Sequence, residues 1–270
     1  MSESVAIAYF GYLAVVALAR PAWPRRRRAI AASLAAAVIV YIVSVPPLWP
    51  ETPRALIARD WLPALYLVVG YWLSGWFFVA PMKDIEAHFM AIDWRVLGRD
   101  TGSALVESLP RAALELLEFA YVTCFLFVPG GLVVLVLTGH REAADRFWTL
   151  VLLGEFGSFA MLPWIQTRPP RTIEPPGAID RRPLFMRQMN RLQVSTVSIG
   201  VNTFPSGHVA GALATAITVS EVLPAFAPWL LAMVAAIAIA AVLGRYHYFV
   251  DAVAGAVWTL VAWALVRALW

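Results

Sequence analysis

Charge is scarce in this chain: 14% of its 270 residues are Asp, Glu, Lys or Arg, where a soluble domain carries about 25%. With 61% hydrophobic residues and a mean hydropathy of +0.72, there is too little polar surface to face water on all sides. A water-soluble globule is therefore excluded, and lipid is the solvent that remains. A single cysteine, Cys124, excludes an intrachain disulfide and leaves the redox compartment open. Four histidines are too few to supply both a convergent metal site and the acid–base groups described below, so no metal and no cofactor is expected. The net charge of +4 comes from arginine clusters in loops, with no basic face interleaved with aromatics, which excludes a nucleic-acid partner. Period-two alternation, internal repeats and low-complexity tracts are all missing, so strands and solenoids are excluded as well. What is abundant is aromatic: 12 Trp, 8 Tyr and 14 Phe suit a chain with two membrane interfaces to anchor. The expected fold class is all-α, a polytopic membrane helical bundle.

Uncharged runs near the ~20 residues that cross a bilayer place spans at about 4–20, 29–48, 61–82, 112–138, 147–166, 206–223, 228–244 and 247–268. The expected plan is two N-terminal spans (1–60) followed by a six-span domain (61–270). Glu3 stands where a signal peptide would be positive, and Arg25–Arg28 follow the apolar run, so the first span is read as retained. Chain breaks fall at Pro21–Pro24, at Pro46-Pro47 and across 167–205. Segment 83–111 mixes Lys83, Asp84, Glu86, Asp93, Arg95, Arg99 and Asp100 with apolar residues, as an interfacial helix plus loop does. Eight spans put the loops at 20–28, 83–111, 167–205 and 244–246 on one side, with 16 of the 21 Lys and Arg. The positive-inside rule makes that side cytoplasmic.

Three polar segments fall on that one face: Arg168-Pro169-Pro170-Arg171, Phe204-Pro205-Ser206-Gly207-His208, and Gly244-Arg245-Tyr246-His247-Tyr248-Phe249-Val250-Asp251. His247 and Asp251 are i and i+4, so on a helix they share a face. A carboxylate there fixes the imidazole tautomer and leaves the other nitrogen basic enough to act as a nucleophile. Taken alone, the pair fits a structural His–Asp cap equally well. Pro205, Ser206 and Gly207 suit a helix N-terminus, which attracts an anion and lets a phosphate approach the backbone. His208 in its first turn is placed to protonate a leaving group, although capped helices with incidental histidines are common. Arg168 and Arg171 offer guanidinium forks that match phosphate oxygens, and taken alone they read as a basic cluster for lipid head groups. Together the three segments describe a phosphate site.

The order Arg-Pro, Pro-Ser-Gly-His, Arg and His-x-x-x-Asp resembles the three-part signature of the type 2 phosphatidic acid phosphatase superfamily, over roughly 145–270. The resemblance implies a membrane enzyme acting on a phosphorylated lipid, with membrane lipids as its other partners. His247 would become phosphorylated, Asp251 would orient it, and His208 would act as acid and then activate water. Arg168, Arg171, Ser206, Gly207 and Arg245 would bind phosphate. Two positions depart from the common pattern: Met161 replaces a Lys seven residues before Arg168, and Ala241 stands six before His247, where an Arg is usual. In this the chain resembles the branch containing fungal inositol phosphorylceramide synthases and related bacterial proteins, which implies a bacterial inner membrane. A phosphohistidine can be discharged by water or by an alcohol, so hydrolysis and transfer both stand. A third reading, a silent lipid-binding scaffold, does not explain an intact His208, His247 and Asp251.

Other polar residues receive plainer readings. Glu155 lies mid-span between Leu153-Gly154 and Phe156-Gly157, and fits either a functional group or a protonated, paired structural one. Glu115 and Glu118 are expected to favour the N-terminus of their own helix. His88 and His140 are expected in solvent. The Trp-rich 61–76 stretch is expected to face lipid or to shape a lipid entry groove.

Overall fold

The computed structural model describes residues 1–21, 23–45, 49–50, 52–98 and 102–269. The expected break at Pro46-Pro47, with Arg99 and Asp100, lies outside them. Among the described residues the chain is helical without strands, apart from one isolated antiparallel bridge between Thr167 and Asn202.

The helices are α1 (Ser2–Leu18), α2 (Arg26–Ser44), α3 (Pro53–Gly75), α4 (Lys83–Leu97), α5 (Ser103–Ser108), α6 (Arg111–Leu137), α7 (Ala144–Ala160), α8 (Phe185–Val197), α9 (Gly207–Val222), α10 (Ala227–Leu243) and α11 (Phe249–Leu269). Each of the eight expected spans coincides with one helix. Four are long and apolar enough to cross a membrane: α2, α6, α11 and the Pro224–Leu243 helix containing α10. α7 and α9 have only 17 and 16 residues, short of the ~20 a bilayer needs. The eight-span plan is thus matched in helices but not in spans of full length.

Within lipid, helices gain little from hydrophobicity and associate by close packing of small residues. α9 carries Gly207, Ala210, Gly211, Ala212, Ala214 and Ala216, and it sits among α6, α7, α10 and α11. The backbones come so near that a Cβ on Gly255 of α11 would collide with the Ser206 carbonyl oxygen. α1 packs on α7 through Tyr9, whose ring stacks on Phe156 at 4.1 Å and whose hydroxyl donates to the Gly70 carbonyl of α3. Trp72 on α3 and Trp76 just past its end lie exposed.

The 167–205 segment holds α8, an amphipathic helix that exposes Phe185, Met189 and Leu192 while burying Arg187 and Asn190. Here the expectation for Glu115 and Glu118 is corrected. α6 begins at Arg111, so neither carboxylate lies in its first three residues. Glu115 instead accepts the Phe185 and Met186 N–H groups at 2.8 and 2.9 Å, capping α8. Glu118, 2% exposed, binds Arg187 at 2.7 Å, Asn190 at 2.6 Å and the Tyr246 hydroxyl at 2.7 Å. Breaking a buried pair from one side leaves a bare charge and costs about 3–5 kcal/mol; losing a cap costs about 1 kcal/mol. Glu118→Ala is therefore expected to open 170–205 to limited proteolysis, and Glu115→Ala to do so far less. Equal nicking of both variants would contradict the central place of Glu118.

Candidate active site

Each of the three polar segments is anchored on α4, which runs ahead of them in the chain. Glu86 takes the Arg168 guanidinium in two bonds, at 3.0 and 2.8 Å, and also accepts its backbone N–H. Phe89 packs on Phe204 and Tyr248. Asp93 accepts the Phe249 N–H at 2.9 Å, at the start of α11. These partners were not found from the sequence, because acidic residues on an amphipathic helix read as a solvated face. Glu86 and Asp93 are in fact 3% and 0% exposed.

His247 lies ahead of α11 rather than inside it, in the turn that follows α10. The expected shared helical face is thus replaced by a turn. Asp251 closes that turn by accepting the Tyr248 N–H at 2.9 Å, and this still brings its Oδ2 within 3.4 Å of His247 Nδ1. That contact is not aligned as a hydrogen bond, and Nδ1 has no hydrogen-bond partner among the described residues. Asn202, for which the sequence held no signal, donates to the same Asp251 oxygen at 2.9 Å. On its other side, His247 Nε2 stands 3.2 Å from His208 Nδ1. His208 is in the first turn of α9, behind the N-cap Ser206, and its ring stacks on Tyr121. His247 is 4% exposed; burial, and then the charge of Arg171, push its pKa down to about 3. A neutral imidazole results, the form that has a lone pair to use.

Of the three arginines expected to bind phosphate, the structure brings Arg171 to the histidines and holds the other two in ion pairs. Arg171 lines one cavity with His208 and His247, lies over the Tyr246 ring at 5.4 Å, and makes one long hydrogen bond, 3.4 Å, to the Tyr246 carbonyl. Arg168 is committed to Glu86. Arg245, 3% exposed and left-handed at φ 62°, is bound by Glu174 at 3.0 Å, Asp180 at 3.2 Å and the Pro175 carbonyl at 2.9 Å. Ser206 caps α9 by accepting the Val209 N–H at 3.5 Å, and Gly207 packs on Glu155. The cavity holds about 30 Å³, room for about one or two waters. No group of three or more His, Cys, Asp or Glu able to hold a metal occurs among the described residues.

Burial pushes the Asp93 carboxyl up to about 7, with the charges of Asp251 and Glu174 adding to it and the Phe249 N–H opposing. A carboxyl with a raised pKa contributes its stability fully below its unfolded value near 4, and loses it as pH rises through about 7. Asp93→Asn keeps the acceptor for Phe249 and removes the buried charge. Its melting temperature should exceed that of the parent at pH 8 and match it at pH 5. A lower value at both would show that the charge itself stabilises the helix start.

The arrangement offers a neutral nucleophilic imidazole backed by a carboxylate, a second imidazole in contact with it, and an arginine for an anion. No curated protein and no solved structure matches this chain. The PAP2 superfamily does: its family model matches residues 94–265, well over half the sequence, and the chain belongs to the PAP2 superfamily.

Proposed function

We propose that the protein is an integral membrane phosphatase that hydrolyses a lipid phosphate monoester or diphosphate through a phosphohistidine. Members of this superfamily are phosphatases or phosphotransferases. The observation that carries the reading is the convergence of His247, His208 and Arg171 on one cavity, with Asp251 behind His247. His208 takes up a proton as the anionic phosphate binds beside it; His247 Nε2 then attacks phosphorus as the ester P–O bond breaks, and His208 gives that proton to the departing lipid oxygen. Asp251 holds Nδ1–H and stabilises the positive charge that develops on the ring; such contacts are often long before substrate binds. Arg171 takes the phosphoryl oxygens, joined by N–H groups at the start of α9. Water then attacks phosphorus and gives its proton to His208, the P–N bond breaks, and phosphate leaves. Arg168 and Arg245 act through their carboxylate partners, fixing the loop that presents Arg171.

On this reading the lipid tail enters sideways from the bilayer, and the loop charge count favours a site on the cytoplasmic face. The test is phosphate release by the purified protein, in detergent and with a chelator present. The substrates are phosphatidic acid, phosphatidylglycerol phosphate, polyprenyl phosphates and sphingolipid phosphates. Release from one class, lost in His247→Ala, supports hydrolysis, and loss restored only by a divalent metal contradicts the scheme. No release, with transfer to inositol or a lipid alcohol instead, would place the chain with the inositol phosphorylceramide synthase-like branch.

A further inference from the structure

Glu155 lies in α7 between apolar neighbours, and no hydrogen bond or ion pair reaches its carboxyl among the described residues. It is wedged against α9 so tightly that a Cβ on Gly207 would come within 2.6 Å of Oε2, and one on Gly211 would strike Oε1. Gly207 directly precedes His208. Phe159, one helical turn beyond Glu155, also abuts Gly207 and packs on Tyr71 at 5.4 Å. Tyr71 of α3 and Phe125 of α6 line the cavity that holds His208 and His247. The carboxyl thus sits against the first two turns of α9, beside the turn that carries His208, about 7.5 Å from the end of α7 at 1.5 Å per residue. A polar group at that depth requires a partner, and the described chain supplies none. The two glycines keep space open for the carboxyl rather than for a neighbouring side chain.

We infer that Glu155 binds the polar linkage of the substrate, the ester, amide or hydroxyl a few bonds from the phosphate in a glycerophospholipid or sphingolipid. This rests on the phosphatase reading above and narrows its substrate. A protonated carboxyl donates to an ester or amide carbonyl and accepts from N–H or O–H, while an ionised one can only accept and so binds the amide or hydroxyl but not the ester. A polyprenyl phosphate is hydrocarbon from its first carbon and leaves Glu155 unpaired, and a site built around a hydrogen bond rejects the analogue lacking it.

The experiment compares the parent protein with Glu155→Leu and Glu155→Gln, measuring kcat/KM on phosphatidic acid, ceramide 1-phosphate and a polyprenyl monophosphate. The parent should favour one of the first two over the third, and which one names the linkage. Glu155→Leu should lose at least tenfold on the favoured lipid and nothing on the polyprenyl phosphate, while Glu155→Gln, which also donates and accepts, should recover most of the loss. An equal fall on all three lipids, no fall on any, or a parent that prefers the polyprenyl phosphate would overturn the inference. A binding measurement separates this from failure of the phosphatase reading. In His247→Ala, which cannot turn over, the favoured lipid should raise the melting temperature more than the polyprenyl phosphate does. Adding Glu155→Leu should erase that difference, and a difference that persists would likewise overturn the inference.

Discussion

Replacing His247 with alanine should abolish phosphate release, by about 10⁴-fold or more, because it removes the atom that carries the phosphoryl group. Asp251→Asn should lower kcat by about 10³-fold with little loss of fold. Asn keeps an oxygen for the Tyr248 N–H and Asn202, both at 2.9 Å from the present carboxylate. It carries no charge to stabilise the positive ring that forms as His247 attacks. The two variants therefore differ in kind: one lacks the nucleophile, the other leaves its charge unbalanced. Turnover with detergent-stage thermal melts distinguishes both from simple unfolding. An Asp251→Asn protein with unchanged kcat would remove the carboxylate from the chemistry and leave it a turn-closing role.

The second large effect is expected at Arg171. Its guanidinium reaches the histidine cavity with one long hydrogen bond to the chain, so its donors are available to an anion. Removing a preorganised donor to a developing charge costs about 10²–10³-fold in kcat. Arg171→Ala should fall in that range, and Arg171→Lys should recover only part of it, since a point charge lacks the planar fork. Arg168→Ala and Arg245→Ala should behave differently, because their charges are spent on Glu86 and on Glu174 with Asp180. Those variants should lower the melting temperature, most for Arg245, which is 3% exposed. If Arg245→Ala instead matched Arg171→Ala in kcat while melting normally, the assignment of roles would be reversed.

Much of this arrangement was legible before any coordinates. Hydropathy located the helices now found between 2 and 44, between 53 and 75 and from 111 onward, except α8 in the 167–205 segment, because apolar runs bounded by Pro and Arg have few other ways to satisfy their backbone in lipid. The pairing of His247 with Asp251 followed from spacing, though a turn rather than a helix delivers it. Arg168, Arg171 and Arg245 could not be ranked from spacing, since their roles depend on which carboxylates meet them across the fold. Glu86 and Asp93 were read as part of an interfacial helix and Glu118 as a helix-end charge for the same reason. A local pattern states where a charge is but not what lies opposite. One span length failed differently: α7 stops at 160, three residues before Pro163, where apolar content alone suggested a run to 166.

The most direct test of the central claim is to trap the intermediate. The protein is mixed with the lipid it hydrolyses, carrying a radioactive phosphate, quenched within one turnover and digested. Label that survives alkali, is lost in acid and maps to the peptide containing His247, absent from His247→Ala, is the predicted result. Rapid phosphate release with no such label, or label on another residue, would contradict attack by His247.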